Sequence, residues 1–180
     1  QTEESRTEAK ILLDVKRNLI SPKNNTNLIG CNVDSITGSY LLSISELSKD
    51  YANQILYQTD LDEQITKNTV SGAEVFSKIL PKVNFSNNSI KIKDGKIIEG
   101  YIDKSVFGKE NGELIKEIDK EFGKEVTFEV IRNAFKLGTK YLSKRGFTIS
   151  VNDLQVNKKV GEATDRIIAE AEEKTNQIID

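Results

Sequence analysis

Apolar positions in the first twenty residues recur at helical spacing. Ile11, Leu12, Val15 and Leu19 fall on one face, and Ser5 with Glu8 has the spacing of a capping box, so the pattern predicts a helix over 5–19. It stops before Ser21-Pro22, because proline disfavours a helical residue ahead of it. Residues 23–34 read as loop. Asp34 is the expected N-cap of a short helix through Leu42, weakened by Gly38. After Ser45, the spacing of Leu47, Tyr51 and Ile55 predicts another helix, and residues 57–70 form a polar connection. Ser71 and Glu74 give a second capping box ahead of Val75, Phe76, Ile79 and Leu80, with Pro81 as the stop.

Periodicity then changes from helical to alternating. Ile90-Lys91-Ile92-Lys93 and Lys96-Ile97-Ile98-Glu99 flank Asp94-Gly95, a two-residue loop suited to a type I′ turn. That places Ile92 opposite Ile97, with the second strand running on through Tyr101-Ile102 to a loop over 103–112. Asn111 is the expected cap of a helix that buries Leu114, Ile115, Ile118 and Phe122 and ends at Gly123. Residues 125–144 form a longer helix with Val126, Val130, Ile131, Ala134, Phe135, Tyr141 and Leu142 facing inward, closed by Gly146. The last helix, 158–179, has a thin seam of Val160, Thr164, Ile167, Ala171, Lys174 and Ile178 at coiled-coil spacing. The pattern as a whole predicts an α+β fold, mainly helical with at least one β-hairpin, ending in a long exposed coiled-coil-like helix.

Composition narrows the function. The 180 residues include no methionine, so the chain is expected to be cut from a longer one. The formal charge of −2 lacks the basic excess of a free-standing nucleic-acid-binding domain. Charge is uneven, however. Residues 78–109 carry seven lysines against three acids, whereas residues 162–180 carry six acids against two bases. With one cysteine, Cys31, and no histidine, neither an internal disulfide nor a zinc site forms, and histidine-based nucleophilic catalysis is excluded. Cysteine usage points to a reducing, cytoplasmic setting, and no apolar run is long enough for a membrane span. No phosphate-binding glycine loop occurs, and the adjacent acids Glu3/Glu4 and Glu172/Glu173 point in different directions on a helix. Read from these features alone, the chain is a non-enzymatic protein-interaction module with a helical arm.

Five segments in order resemble one family. "QTEESRTEAKILL" with "NLISPKNNTNLIGCNVDSITGSYLL", "VSGAEVFSKILPKVNF", "KIKDGKIIEGYIDKSVFGKENGELIKEI", "YLSKRGFTISVNDLQV" and "EATDRIIAEAEEKTNQIID" resemble the largest subunit of multisubunit DNA-directed RNA polymerase in its archaeal form. The resemblance implies a pore domain over 1–156 and the first helix of the funnel over 157–180. It implies metal-assisted, template-directed nucleotidyl transfer by the whole enzyme, with the Mg²⁺ ligands in a loop just ahead of Gln1 and none in the chain itself. The turn carrying Asp103 and Lys104, together with Asp34, is implied to line the channel through which nucleotides arrive and displaced RNA leaves. Implied partners are the other polymerase subunits, the DNA template, the RNA transcript and a transcript-cleavage factor at the funnel. The sequence departs from the family pattern at Asn25-Thr26-Asn27 in place of Gly-Gly-Pro-like residues, at Val33 in place of glutamine, and at Lys104-Ser105 in place of a lysine pair.

Overall fold

The computed structural model describes residues 2–59, 61 and 63–179. Chain contacts divide the molecule into two units, residues 1–146 and 147–180. The fold is α+β and mainly helical, with small antiparallel sheets and a long C-terminal helix.

The first unit opens with α1 (Glu3–Ile11) and a 3₁₀ turn (Val15–Arg17) where the apolar spacing predicts one helix. The break is local. Asp14 accepts the Lys16 N–H at 3.0 Å, and the Asn18 amide donates to the carbonyls of Leu12 and Asp14 at 3.0 and 2.9 Å, so backbone groups the helix would use are satisfied elsewhere. Thr2, not Ser5, caps α1 by accepting the Ser5 N–H. Of the expected buried face only Leu19 is buried, while Ile11, Leu12 and Val15 are exposed.

Helix α2 (Val33–Ser43) is capped by Asn32 rather than Asp34. The Asn32 N–H donates to Ser35 Oγ at 2.9 Å, and Asp34 sits exposed in the first turn. After α2 the expected helix begins late. Glu46–Ser48 is strand β1, and only Lys49–Leu56 is helical (α3). β1 pairs antiparallel with β2 (Thr69–Ser71), setting Leu47 opposite Val70, both buried. In the intervening connection, residues 60 and 62 lie outside the described residues. Ser71 caps α4 (Gly72–Ser77) as expected, accepting the Glu74 N–H, although the Glu74 carboxylate turns to Lys67 at 2.8 Å instead of closing the box.

The hairpin forms in the expected register. β4 (Ile90–Lys93) and β5 (Lys96–Gly100) set Ile92 against Ile97, and Asp94 and Gly95 take positive φ of 50° and 72°. A third strand, β3 (Phe85–Ser86), pairs with β4. β5 ends at Gly100, whose φ of 95° turns the chain, so Tyr101 and Ile102 are not strand. Next come α5 (Lys104–Phe107), α6 (Glu113–Phe122) and α7 (Lys124–Arg145). Gly112, not Asn111, stands at the α6 N-cap, with Leu114, Ile115 and Ile118 buried as predicted.

Helix α7 forms the floor of the core, with Val130, Ile131, Ala134 and Tyr141 buried as predicted but the edges of the stripe displaced. Val126 and Phe135 are exposed, and the buried stripe runs through Thr127, Val130, Ile131, Ala134, Leu137, Gly138 and Tyr141. The reason is its crossing with α2, whose buried positions are small: Ser35, Gly38, Ser39 and Ser43 beside Leu42. A Cβ on Gly38 would fall on the Gly138 carbonyl, and one on Gly138 on the Ser35 carbonyl, both well inside 3.0 Å. The two glycines let the backbones touch. The buried hydroxyls are satisfied within α2, Ser39 donating to the Ser35 carbonyl and Ser43 to that of Tyr40, each at 2.7 Å.

The second unit is a 3₁₀ turn (Val151–Leu154) and α8 (Lys158–Ile179). The helix has the bounds predicted from its seam. No side chain between residues 147 and 178 is buried.

Candidate functional site

The turn that carries Asp103 and Lys104 is tied to one arrangement, two segments zipped together although 76 to 85 positions separate the bonded residues. Cys31 N–H donates to the Phe107 carbonyl at 2.9 Å, and the Cys31 carbonyl accepts the Lys109 N–H at 3.2 Å. Below them Asn27 exchanges backbone bonds with Glu110, and its buried side-chain amide donates to the Gly112 carbonyl at 2.7 Å. Glycine is required on both sides. A Cβ on Gly30 would strike Lys109 N, and one on Gly108 the Lys104 carbonyl.

This zipper holds the α2 N-terminus against the α5 turn and leaves a cavity of about 260 Å³ between them. Cys31, Asn32, Val33, Ile36, Lys104, Lys109 and Glu110 line it. Lys104 and Lys109 are exposed and have no ion-pair partner among the described residues. Val33 has φ of 43°, unfavourable for a β-branched side chain, and its isopropyl group points outward beside the cavity. Cys31 is inert here. Burial pushes its thiol up to about 12, against the smaller opposite effect of the Ser35 hydroxyl, so it stays protonated.

Of the three residues named from sequence, Lys104 lines the cavity. Asp103 stands behind it as the N-cap of α5. One carboxylate oxygen accepts the N–H groups of Ser105 (2.9 Å) and Val106 (3.1 Å) and the Ser105 hydroxyl (2.6 Å), and the other accepts the Ser89 hydroxyl at 2.8 Å. Desolvation raises this carboxyl, but the Ser105 and Ser89 hydroxyls and the two N–H groups together hold it below the ordinary aspartate value. Asp103 thus fixes the turn that carries Lys104. Asp34 is exposed in the first turn of α2 and is not among the residues that line the cavity. Sequence reasoning did not single out Lys109. Its signal was its place in the basic stretch, but no local pattern says that it returns to the side of Lys104. Among the described residues no group of three or more acidic or cysteine side chains is placed to hold a metal ion, and no helix is long and apolar enough to cross a membrane.

Comparison with known proteins gives this arrangement its context. Residues 18–154 match the family model described as RNA polymerase Rpb1, domain 3. The whole chain aligns with DNA-directed RNA polymerase subunit Rpo1N of Methanocaldococcus jannaschii, 32% identical over 208 aligned positions that cover 16% of that protein. The same subunit of Methanothermobacter thermautotrophicus is 30% identical over 203 positions, again across the whole chain and 23% of the relative. DNA-directed RNA polymerase III subunit rpc1 of Schizosaccharomyces pombe is 28% identical over 95% of the chain and 15% of that protein. The chain therefore spans less than a quarter of the length of these relatives. With the family model covering most of its length, the chain belongs to the RNA polymerase Rpb1 domain 3 family, as an archaeal-type N-terminal part of the largest polymerase subunit.

Proposed function

We propose that the chain serves DNA-templated RNA synthesis as a wall, supporting the active site of the whole subunit and lining the channel by which nucleotides arrive and displaced RNA leaves. The observation that carries this reading is the cavity of Lys104 and Lys109 beside the α2 N-terminus. Two cations that form no ion pair among the described residues line it against the single carboxylate of Glu110, and such an excess raises the local concentration of anions such as nucleoside triphosphates. The chemistry itself, attack of the RNA 3′ hydroxyl assisted by Mg²⁺, is assigned in this reading to residues elsewhere in the subunit, as the family resemblance implies. The chain by itself is expected to add no nucleotide to a primed template. In the assembled cytoplasmic enzyme its partners are the other polymerase subunits, template and transcript. The exposed 147–178 segment is suited to docking on another polymerase subunit or on a transcript-cleavage factor.

The test is Lys104→Glu in the intact polymerase. Reversing the charge should raise the apparent KM for nucleotides, more at low than at moderate salt, because screening weakens steering between exposed charges. It should leave kcat nearly unchanged, since the interaction is lost before the chemical step. An unchanged KM at both salt concentrations, or a loss confined to kcat, removes Lys104 from the channel.

A further inference from the structure

Glu110 holds a backbone conformation that the fold does not need a glutamate to hold. Its φ is 73°, where glycine is at ease and a longer side chain costs backbone strain. The bonds around it fasten that conformation. The Glu110 N–H donates to the Asn27 carbonyl at 3.0 Å, the Lys109 N–H to the Cys31 carbonyl at 3.2 Å, and the Gly112 N–H to the Gly108 carbonyl at 3.0 Å. The Asn27 side-chain amide donates to the Gly112 carbonyl at 2.7 Å. On the side of the turn every one of these is a backbone group, so glycine at position 110 would keep them all and shed the strain. The glutamate side chain returns nothing to the fold. It is exposed, and among the described residues its carboxylate accepts no hydrogen bond and enters no ion pair.

What the strained turn does with that side chain is set it on the cavity. Glu110 lines the same space of about 260 Å³ as Lys104 and Lys109 and neutralises neither by direct contact. The charged lining is therefore two ammonium groups and one carboxylate, a single net positive charge. A wall that anions pass must gather them without keeping them, because passage needs binding weak enough to leave. Two lysines alone hold a polyphosphate more strongly than two lysines with a carboxylate beside them, and the repulsion grows with the charge of the ligand. We infer that Glu110 sets the anion selectivity of this cavity, weakening its hold on highly charged ligands of the triphosphate class more than on inorganic phosphate. This rests on the channel reading above and names the residue that tunes it.

Nuclear magnetic resonance titration of the 180-residue chain tests it, with tripolyphosphate and inorganic phosphate as probes, no divalent cation present, and the Val33 and Lys109 amides as reporters. Glu110→Gln keeps the strained backbone and removes the charge. It should bind tripolyphosphate about threefold more tightly and inorganic phosphate by a smaller factor. Glu110→Gly removes charge and strain together. It should tighten tripolyphosphate equally and also raise the urea midpoint above that of the unsubstituted chain. Lys104→Glu should weaken both probes. If neither Glu110 variant changes the affinity for tripolyphosphate while Lys104→Glu still lowers it, the selectivity role is overturned and the channel reading stands. Tighter binding in Glu110→Gly alone assigns the effect to the backbone and overturns the proposal. A urea midpoint lower in Glu110→Gly than in Glu110→Gln makes the side chain a structural one and overturns it as well. Reporters that stay still with both probes in every variant overturn the proposal together with the channel reading.

Discussion

Helices α7 and α8 are each 22 residues long, yet one is the floor of the core and the other buries no side chain over residues 158–178. Length and helix propensity do not separate them. The width of the apolar stripe does. α7 offers Val130, Ile131, Ala134, Leu137 and Tyr141 across adjacent rows, with Gly138 allowing α2 to approach. The α8 seam is one row wide and interrupted by Thr164 and Lys174. A wide stripe with a small residue at its centre finds its partner within the chain, whereas a thin one offers too little area to hold a helix against a core.

Substitutions should widen or narrow that contrast by amounts the structure orders. Leu137→Ala on α7 removes a fully buried side chain and should lower the unfolding free energy by about 2–5 kcal/mol, read from urea denaturation. Gly138→Ala should cost about 1–3 kcal/mol, since the added Cβ meets backbone rather than a side chain able to move. Asp103→Ala removes the α5 cap and should cost about 1 kcal/mol. The Asp103 contribution also has a defined pH dependence. Its folded carboxyl titrates below the unfolded value, so the stabilisation is complete above about pH 4 and disappears as pH falls through the lower folded value. Acid titration of stability in Asp103→Asn should lack that loss, and an identical acid profile would count against the cap. On α8, Ile167→Ala should change stability by less than about 0.5 kcal/mol, since the side chain is already in solvent.

The sequence carried some of this and not the rest, for physical reasons. The α8 bounds and the hairpin register were legible because their signals are local: a seven-residue spacing in one, an Asp-Gly turn between alternating isoleucines in the other. On α7 the central stripe of Val130, Ile131, Ala134 and Tyr141 was legible but its edge was not, because the α2 crossing buries Gly138 and leaves Phe135 exposed, and a glycine on an apolar face gives no hydrophobic signal. The β1–β2 pair was missed because three-residue strands hold too little alternation to outweigh the helical spacing of Leu47, Tyr51 and Ile55. Asn32 and Asp34 are both good caps two positions apart, and composition does not say which leaves the helical conformation. At the site, Asp103 and Lys104 lie in one short segment and were singled out through the family resemblance, but the part of Asp103 as the α5 cap was not read from the sequence. The meeting of that segment with Cys31 and Asn32 depends on backbone bonds between distant residues and had no sequence signature.

The central claim is that residues 1–146 form a cooperative core of their own, whose stability the exposed α8 does not share. Amide hydrogen exchange in a dilute, monomeric sample of the chain addresses it directly. The Ile131 amide should exchange only through global unfolding, and its protection should fall in step with the Leu137→Ala loss of stability. The Ile167 amide should exchange far faster and be indifferent to that substitution. Protection at Ile167 equal to that at Ile131, falling with it in Leu137→Ala, would show that α8 belongs to the same folded core and would contradict the account.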